Sequence, residues 1–150
     1  MKIAAIVAEY NPFHLGHKYQ IDALRKMGFT HIIAVMSGNF VQRGDVAILN
    51  KNKRTRLALE NSVDLVLEIP TSFCLAPAQK YAHGAIGVLK SLGIDFTLCF
   101  GSETGDIQTL CAVKDAMNDQ RVQQEIANNL KSGKTYSALV QSAIAVASLI

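Results

Sequence analysis

The chain has no Cys-x-x-Cys pair, no Gly-x-Gly-x-x-Gly after its first apolar run, no internal repeat and no low-complexity linker. Its three cysteines, Cys74, Cys99 and Cys111, are odd in number and far apart, which points to reduced, packed thiols. The missing glycine fingerprint argues against a dinucleotide dehydrogenase. No apolar run reaches the length of a membrane span. Met1-Lys2 leads directly into an apolar run rather than through a secretory leader, so a cytoplasmic protein is expected. Charged residues make up 18% of the 150 positions, below the usual quarter, so a large solvated tail is not expected. Apolar residues make up 49%, enough for the core of one ordinary domain.

A net charge of +3 does not by itself imply a nucleic-acid partner. The distribution says more. Between Gln42 and Arg56 five cations, Arg43, Lys51, Lys53, Arg54 and Arg56, are set against Asp45 alone, so the positive excess sits in one segment.

Apolar runs alternate with helical patterns along the chain. Strands are predicted at Ile3–Val7, His31–Met36, Asp64–Ile69 and Asp95–Phe100. Helices are predicted from Leu15 to Met27, with Tyr19, Leu24 and Met27 turned inward and Gly28 as the stop, and from Asn50 to Asn61. Another runs from Pro77 to Leu92, with Pro77 in the first turn. Further helices are predicted over Asp106–Met117, Asp119–Lys131 and Thr135–Ile150, and Ser37–Leu49 reads as a long loop. Strands separated by helices of this length form βαβ units on a parallel sheet. The strands are apolar nearly throughout, as in sheets covered on both faces. The fold class is therefore α/β, a doubly wound parallel sheet with a helical C-terminal segment. Ligands of such sheets sit at the carboxyl ends of the strands, where strand order reverses. Glu9–His17, Ser37–Gly44 and Gly101–Glu103 all follow strand ends.

The most informative stretch is Val7-Ala8-Glu9-Tyr10-Asn11-Pro12-Phe13-His14-Leu15-Gly16-His17. A strand, a proline turn and His-x-Gly-His at a helix start make a place for the phosphates of a nucleotide. The first helical turn carries unpaired N–H groups and the positive end of the peptide dipole. Gly16 leaves room for close approach. His14 and His17, three apart, share one face and can each donate an imidazole N–H to phosphate oxygen, more strongly if protonated. No carboxylate or cysteine stands beside them at ligand spacing, so no protein-held metal is expected there.

Tyr10-Asn11-Pro12-Phe13-His14-Leu15-Gly16-His17 resembles the Phe-Asp-Pro-x-His-x-Gly-His motif of the nucleotidyltransferase superfamily, with Asn11 in place of the more usual Asp. Two more blocks, Val35-Met36-Ser37-Gly38-Asn39-Phe40-x-Gln42-Arg43-Gly44 and Phe100-Gly101-Ser102-Glu103, make the chain similar to the bacterial tRNA cytidine acetate ligases. The resemblance covers essentially the whole chain. It implies a Rossmann-like sheet and adenylation of acetate by ATP. The acetyl group then passes to the wobble cytidine of elongator methionine tRNA. Carried over by position, it places ATP on Val7, Ala8, Glu9, Tyr10, Asn11, Pro12, Phe13, His14, Leu15, Gly16, His17, Lys18, Tyr19 and Gln20, and on Gly101. It also implies an Asn and an Arg that contact ATP beyond residue 150, so residues 1–150 are expected to be a nucleotidyltransferase-like domain truncated at its C-terminal end.

In that chemistry two anions must meet, and the α-phosphate gains charge as pyrophosphate leaves. Positioning and preorganised donors are the main tools. His14, His17, the helix N-terminus and Mg²⁺ brought with ATP would supply them. Glu9 reads either as a strand-end charge or as a group orienting ribose or Mg²⁺, and Asn11 as a side chain holding the turn. Ser37, Gln42 and Arg43 are candidates for the substrate loop, Arg43 as a carboxylate or phosphate clamp. Lys51, Lys53, Arg54 and Arg56 read as one solvated helix face, with Arg54 and Arg56 the candidates for tRNA backbone contact. Gly101 reads as a left-handed turn residue or as one passed closely by adenine or ribose. Two other functions fit the same residues: a small-metabolite adenylyltransferase, and a nucleotide-binding fragment that does not catalyse alone.

Overall fold

Alternation along two central strands decides the architecture. In the computed structural model, which describes residues 1–42, 44–102 and 105–130, the chain divides into two units, Met1–Gly101 and the residues from Ser102 on. The first contains β1 (Ile3–Ala8), α1 (Leu15–Lys26), β2 (His31–Ser37), α2 (Lys51–Glu60), β3 (Leu65–Ile69), α3 (Thr71–Cys74), α4 (Ala78–Ser91) and β4 (Thr97–Leu98). The strands are parallel in the order β3-β2-β1-β4, and Ala4 pairs with Ile32 on one side and with Thr97 on the other.

Successive strand side chains point to opposite faces. Ala4, Ile6, Ile32, Ala34 and Met36 pack on one face against Ile21 and Leu24 of α1 and Ala58 of α2. Ile3, Ala5, Ile33 and Val35 pack on the other against Cys74 of α3 and Tyr81, Ala85 and Leu89 of α4. β1 and β2 are thus covered twice, which is why Ile3–Ala8 and Ile32–Met36 are apolar at every position. This is the doubly wound, Rossmann-like sheet expected. The chain runs outward through β2 and β3, then returns past β1 to β4. Strand order reverses at β1, so the segment leaving β1 opens on the crevice where such folds take ligands.

The elements depart from expectation in particular places. Tyr19 and Met27 do not face inward: they are 77% and 65% exposed, and Ile21 and Leu24 fill the core instead. Tyr19 precedes Ile21 by two residues, about 200° around a helix, and so falls on the far side. Met27 is the C-cap. β4 is two residues long rather than six, and its strand positions are exposed because only β1 pairs with it. β3 is likewise an edge, with Leu65 41% exposed, so the two outer strands are not covered on both faces. The short helix α3 was not expected, and Pro77 caps α4 rather than occupying its first turn. Asn50 is the N-cap of α2, its Oδ1 accepting from the Lys53 N–H at 2.9 Å.

In the second unit α5 (Ile107–Asn118) and α6 (Gln120–Leu130) pack on each other. Asp106 and Asp119 accept from the backbone N–H groups of Gln108 and Arg121 at the two helix starts. The helix expected over 135–150 lies outside the described residues, as do Arg43 and Glu103. No described helix is long and apolar enough to cross a membrane.

Candidate functional site

β1 ends at Ala8, and the chain must then turn sharply to enter α1. Tyr10 makes that turn in the left-handed region, φ 48°, which costs a bulky residue on the order of 1–2 kcal/mol. Burial offsets the cost. The Tyr10 ring is 1% exposed, packs in the α1-side core, and meets Phe13 at 5.1 Å and the edge of His17 at 4.8 Å. Among the described residues its hydroxyl is buried without a partner, and burial pushes its pKa up to about 12. The Asn11–Pro12 peptide is cis.

The two histidines form a reciprocal cap on α1. The Nδ1 of His14, the N-cap residue, accepts from the Gly16 N–H at 3.1 Å. The Nδ1 of His17 accepts from the His14 N–H at 3.2 Å. The rings stack with centroids 3.7 Å apart. Both Nδ1 lone pairs are occupied, so each neutral ring carries its proton on Nε2. Two Nε2–H donors therefore stand side by side at the positive end of a helix, an arrangement that suits adjacent phosphate oxygens. A proton on the His17 Nδ1 would oppose the backbone N–H it accepts from, which favours the neutral ring at that position. A Cβ at Gly16 would lie 3.0 Å from the His14 ring and press on the stack, so glycine suits the position.

The pKa of His17 is held below the ordinary histidine value of 6.5, first by burial and then by His14 beside it. A lowered value means that the folded chain favours the neutral ring. The stability this gives is complete above pH 6.5 and is lost as the pH falls from there through the folded-state pKa. An NMR titration of the His17 ring is expected to place its midpoint below 6.5. A midpoint above that value would mean that His17 is not held as a neutral acceptor.

Three side chains bind the loop after β2 to the turn after β1. Glu9 Oε1 accepts from the Gln42 N–H at 2.6 Å, and Asn11 Oδ1 from the Ile48 N–H at 2.8 Å. Asn11 thus holds the neighbouring loop rather than its own turn. The third is Arg54, which overturns its expected place on a solvated tRNA-binding face. It is 0% exposed, and its guanidinium donates to Leu49 O at 2.9 Å, to Glu9 O at 2.5 Å and to Gly38 O. The charged head points inward because three backbone carbonyls converge there to accept from it. Burial lowers the Arg54 pKa, chiefly against the opposing pull of Glu9. Arg56 and Lys53 are exposed, whereas Lys51 pairs with Glu68 at 2.7 Å. Lys18, one residue past the histidine pair, bonds to Asp22.

Ser37 is the last residue of β2 and is 0% exposed. Gly101 is exposed, with φ outside the left-handed region and open space where a Cβ would stand, so it is not a left-handed turn residue. Val7 and Ala8 close β1, while Leu15 is 87% exposed beside the histidines. Among the described residues no group of three or more His, Cys, Asp and Glu side chains is placed to hold a metal ion. These residues offer no protein-built cage for Mg²⁺, an ion commonly held by substrate phosphates and water.

Tyr81 and Cys74 pack in the core on the α4 face of the sheet, with Val35 and Ile69. Their only signal in the sequence is a place among apolar residues, which reads as core.

The chain matches the HIGH Nucleotidyl Transferase family over residues 1–149. A tRNA(Met) cytidine acetate ligase from Acetivibrio thermocellus is 40% identical over 147 residues, 96% of this chain and 35% of that protein. Another of the same name from Leuconostoc mesenteroides is 49% identical over 117 residues, 77% of this chain and 30% of that protein. The crystal structure of Thermotoga maritima TmcAL bound with alpha-thio ATP superposes with a TM-score of 0.80 at 37% identity, covering 96% of this chain and 36% of that one. Its apo form gives 0.82. The chain thus spans about a third of the length of these relatives. A His-x-Gly-His helix cap at the reversal point of a parallel sheet, matched over nearly every residue, places this chain in the HIGH nucleotidyltransferase family.

Proposed function

We propose that this chain is the nucleotide-activating part of a ligase that adenylates acetate with ATP and delivers the acetyl group to the wobble cytidine of elongator methionine tRNA. The observation that carries the reading is the stacked pair of Nε2–H donors at the start of α1. They can neutralise charge that develops on phosphate oxygens without any movement at the moment of reaction. The residues from Val7 to Gln20, with Gly101, form the ATP site in this reading. A carboxylate oxygen of acetate bonds to the α-phosphorus as the bond to the β-phosphate oxygen breaks, and pyrophosphate leaves. The cytidine amine then attacks the acetyl carbonyl, the bond from that carbon to the phosphate oxygen breaks, AMP leaves, and the amine loses a proton to solvent. The names of the A. thermocellus and L. mesenteroides relatives, and the ATP analogue bound by the T. maritima protein, support this choice of reaction. Exposed Lys53 and Arg56 are the α2 cations left to meet a tRNA backbone.

Exchange of labelled pyrophosphate into ATP tests the reading, and it is expected only when acetate is present. Exchange driven instead by a phosphorylated acceptor such as pantetheine phosphate would overturn it in favour of a small-metabolite adenylyltransferase. The chain's coverage of only 35% of its relative favours one further reading. ATP binding by calorimetry without any exchange would mark these residues as a nucleotide-binding domain that needs more of the protein to react.

A further inference from the structure

A cavity of about 140 Å³ opens between α2 and the outer strand β3. Its wall includes Met36 at the end of β2, Val66 and Glu68 of β3, and Lys51, Asn52 and Thr55 early in α2. It is separate from the nucleotide turn, because β3 is one edge of the sheet whereas strand order reverses at β1. We infer that this cavity binds a small α-amino acid, with its carboxylate on Lys51, its ammonium on Glu68 and its side chain against Met36 and Val66. Such a ligand is additional to ATP, acetate and tRNA.

An ion pair in the wall decides what fits. Lys51 Nζ meets Glu68 Oε2 at 2.7 Å, and the two side chains are 42% and 45% exposed. An exposed pair of this kind contributes little to stability, so a ligand can part it at little cost. The two partners differ in freedom. Glu68 stands on a strand opposite Met36, and its Oε1 rests against Gly38, where any Cβ would collide with it. Lys51 is anchored by its backbone N–H, which donates to Asn39 Oδ1 at 3.0 Å, while its ammonium rides on a flexible four-carbon stem. A fixed carboxylate and a movable ammonium can therefore separate to admit a guest between them.

The same pair selects the guest. A simple anion would satisfy Lys51 but set its charge against Glu68. A simple cation would satisfy Glu68 and be repelled by Lys51. A neutral molecule would have to part the pair in exchange for weaker bonds. A molecule with both charges on one short frame replaces the contact on each side, and an α-amino acid is the smallest such frame. The Asn52 amide and the Thr55 hydroxyl add donors and acceptors to the same wall. Met36 is 2% exposed and belongs to the core against which Val66 packs, so the floor is apolar. Size limits the side chain. At about 30 Å³ for each water, the space holds about five waters. That suits alanine, serine or valine and excludes aromatic and long basic side chains.

Amide NMR spectra of the isotope-labelled chain, titrated with alanine and valine, test the site. Propionate and ethylamine serve as the two halves of alanine, each lacking one charge, and cytidine as a probe for a nucleobase instead. Both amino acids are expected to shift the Asn52, Thr55, Val66 and Glu68 amide signals saturably and to leave those of His14 and His17 in place. Propionate and ethylamine are expected to bind at least about tenfold more weakly. Glu68→Gln and Lys51→Met are each expected to weaken alanine binding about tenfold, as for loss of one bond to a charged group. The urea midpoints of both variants are expected to stay near wild type, because the pair is exposed, so that lost binding reads as a lost contact. No saturable shift of these signals with either amino acid would overturn the proposal. Propionate or ethylamine binding as tightly as alanine would do the same, since one charge would then suffice, and so would cytidine binding there in place of the amino acids. Wild-type affinity for alanine in both variants would put the ligand elsewhere and overturn it too.

Discussion

His17→Ala is expected to leave a folded chain that binds ATP weakly and supports acetate-dependent exchange at a rate lower by about 10²–10³, the loss seen when one preorganised donor to a reacting oxyanion is removed. The two roles of His17 separate on its two nitrogens. Nδ1 accepts from the His14 N–H and so belongs to the cap of α1. Nε2 is left to donate outward. Losing the cap bond costs about 0.5–2 kcal/mol, which a domain with both sheet faces packed can absorb. His17→Asn divides the effects, because its side-chain oxygen can take over the Nδ1 position but cannot reach that of Nε2. It is expected to recover most of the stability lost in His17→Ala and little of the exchange. Chemical denaturation and exchange, measured on the same samples, give both numbers. Exchange near the wild-type rate in His17→Asn would show that the outward donor does no chemistry.

The parts of this molecule that could be read from sequence are those fixed by neighbours in the chain. Ile3–Val7 and Ile32–Met36 are apolar at every position because helices cover both faces of the sheet, and that pattern is local. The turn, the cap and the glycine of the His-x-Gly-His segment all lie within a few residues of one another, so their geometry follows from spacing. What could not be read depends on partners far along the chain. Arg54 sits in a basic run and looks solvated, but its carbonyls come from residues 45 and 16 positions away. Glu9 reads as a strand-end charge until the Gln42 N–H, 33 residues on, is placed against it. Ser37 and Tyr81 share a buried place only because β2 and α4 pack together. β4 is short for a related reason: strand length at an edge is set by the one neighbour it pairs with, not by its own apolar content.

Arg54→Met is expected to produce the largest stability loss of any single change in the first unit that leaves side-chain length unchanged, about 3–5 kcal/mol. Methionine fills the space but donates to nothing. The carbonyls of Glu9, Gly38 and Leu49 would each lose a charge-assisted bond, at about 1–3 kcal/mol apiece for a buried group. Relief from burying a cation recovers part of that sum, which is why the expected loss is below the simple total. Arg54→Lys keeps the charge but presents it as a point rather than a fork, so it is expected to recover only part of the loss. Arg56→Ala, on the exposed side of the same helix, should stay within about 0.5 kcal/mol of wild type. Urea denaturation of the three variants checks the order. The functional consequence follows from which carbonyls are held. Glu9 O precedes the left-handed Tyr10 turn that aims the histidines, and Gly38 O begins the loop that carries Gln42. A variant that still folds should therefore lose ATP affinity without any change in His14 or His17. An Arg54→Met chain within about 1 kcal/mol of wild type would mean that water, not the guanidinium, satisfies these carbonyls in solution. The loop and the turn would then be joined through Glu9 and Asn11 alone.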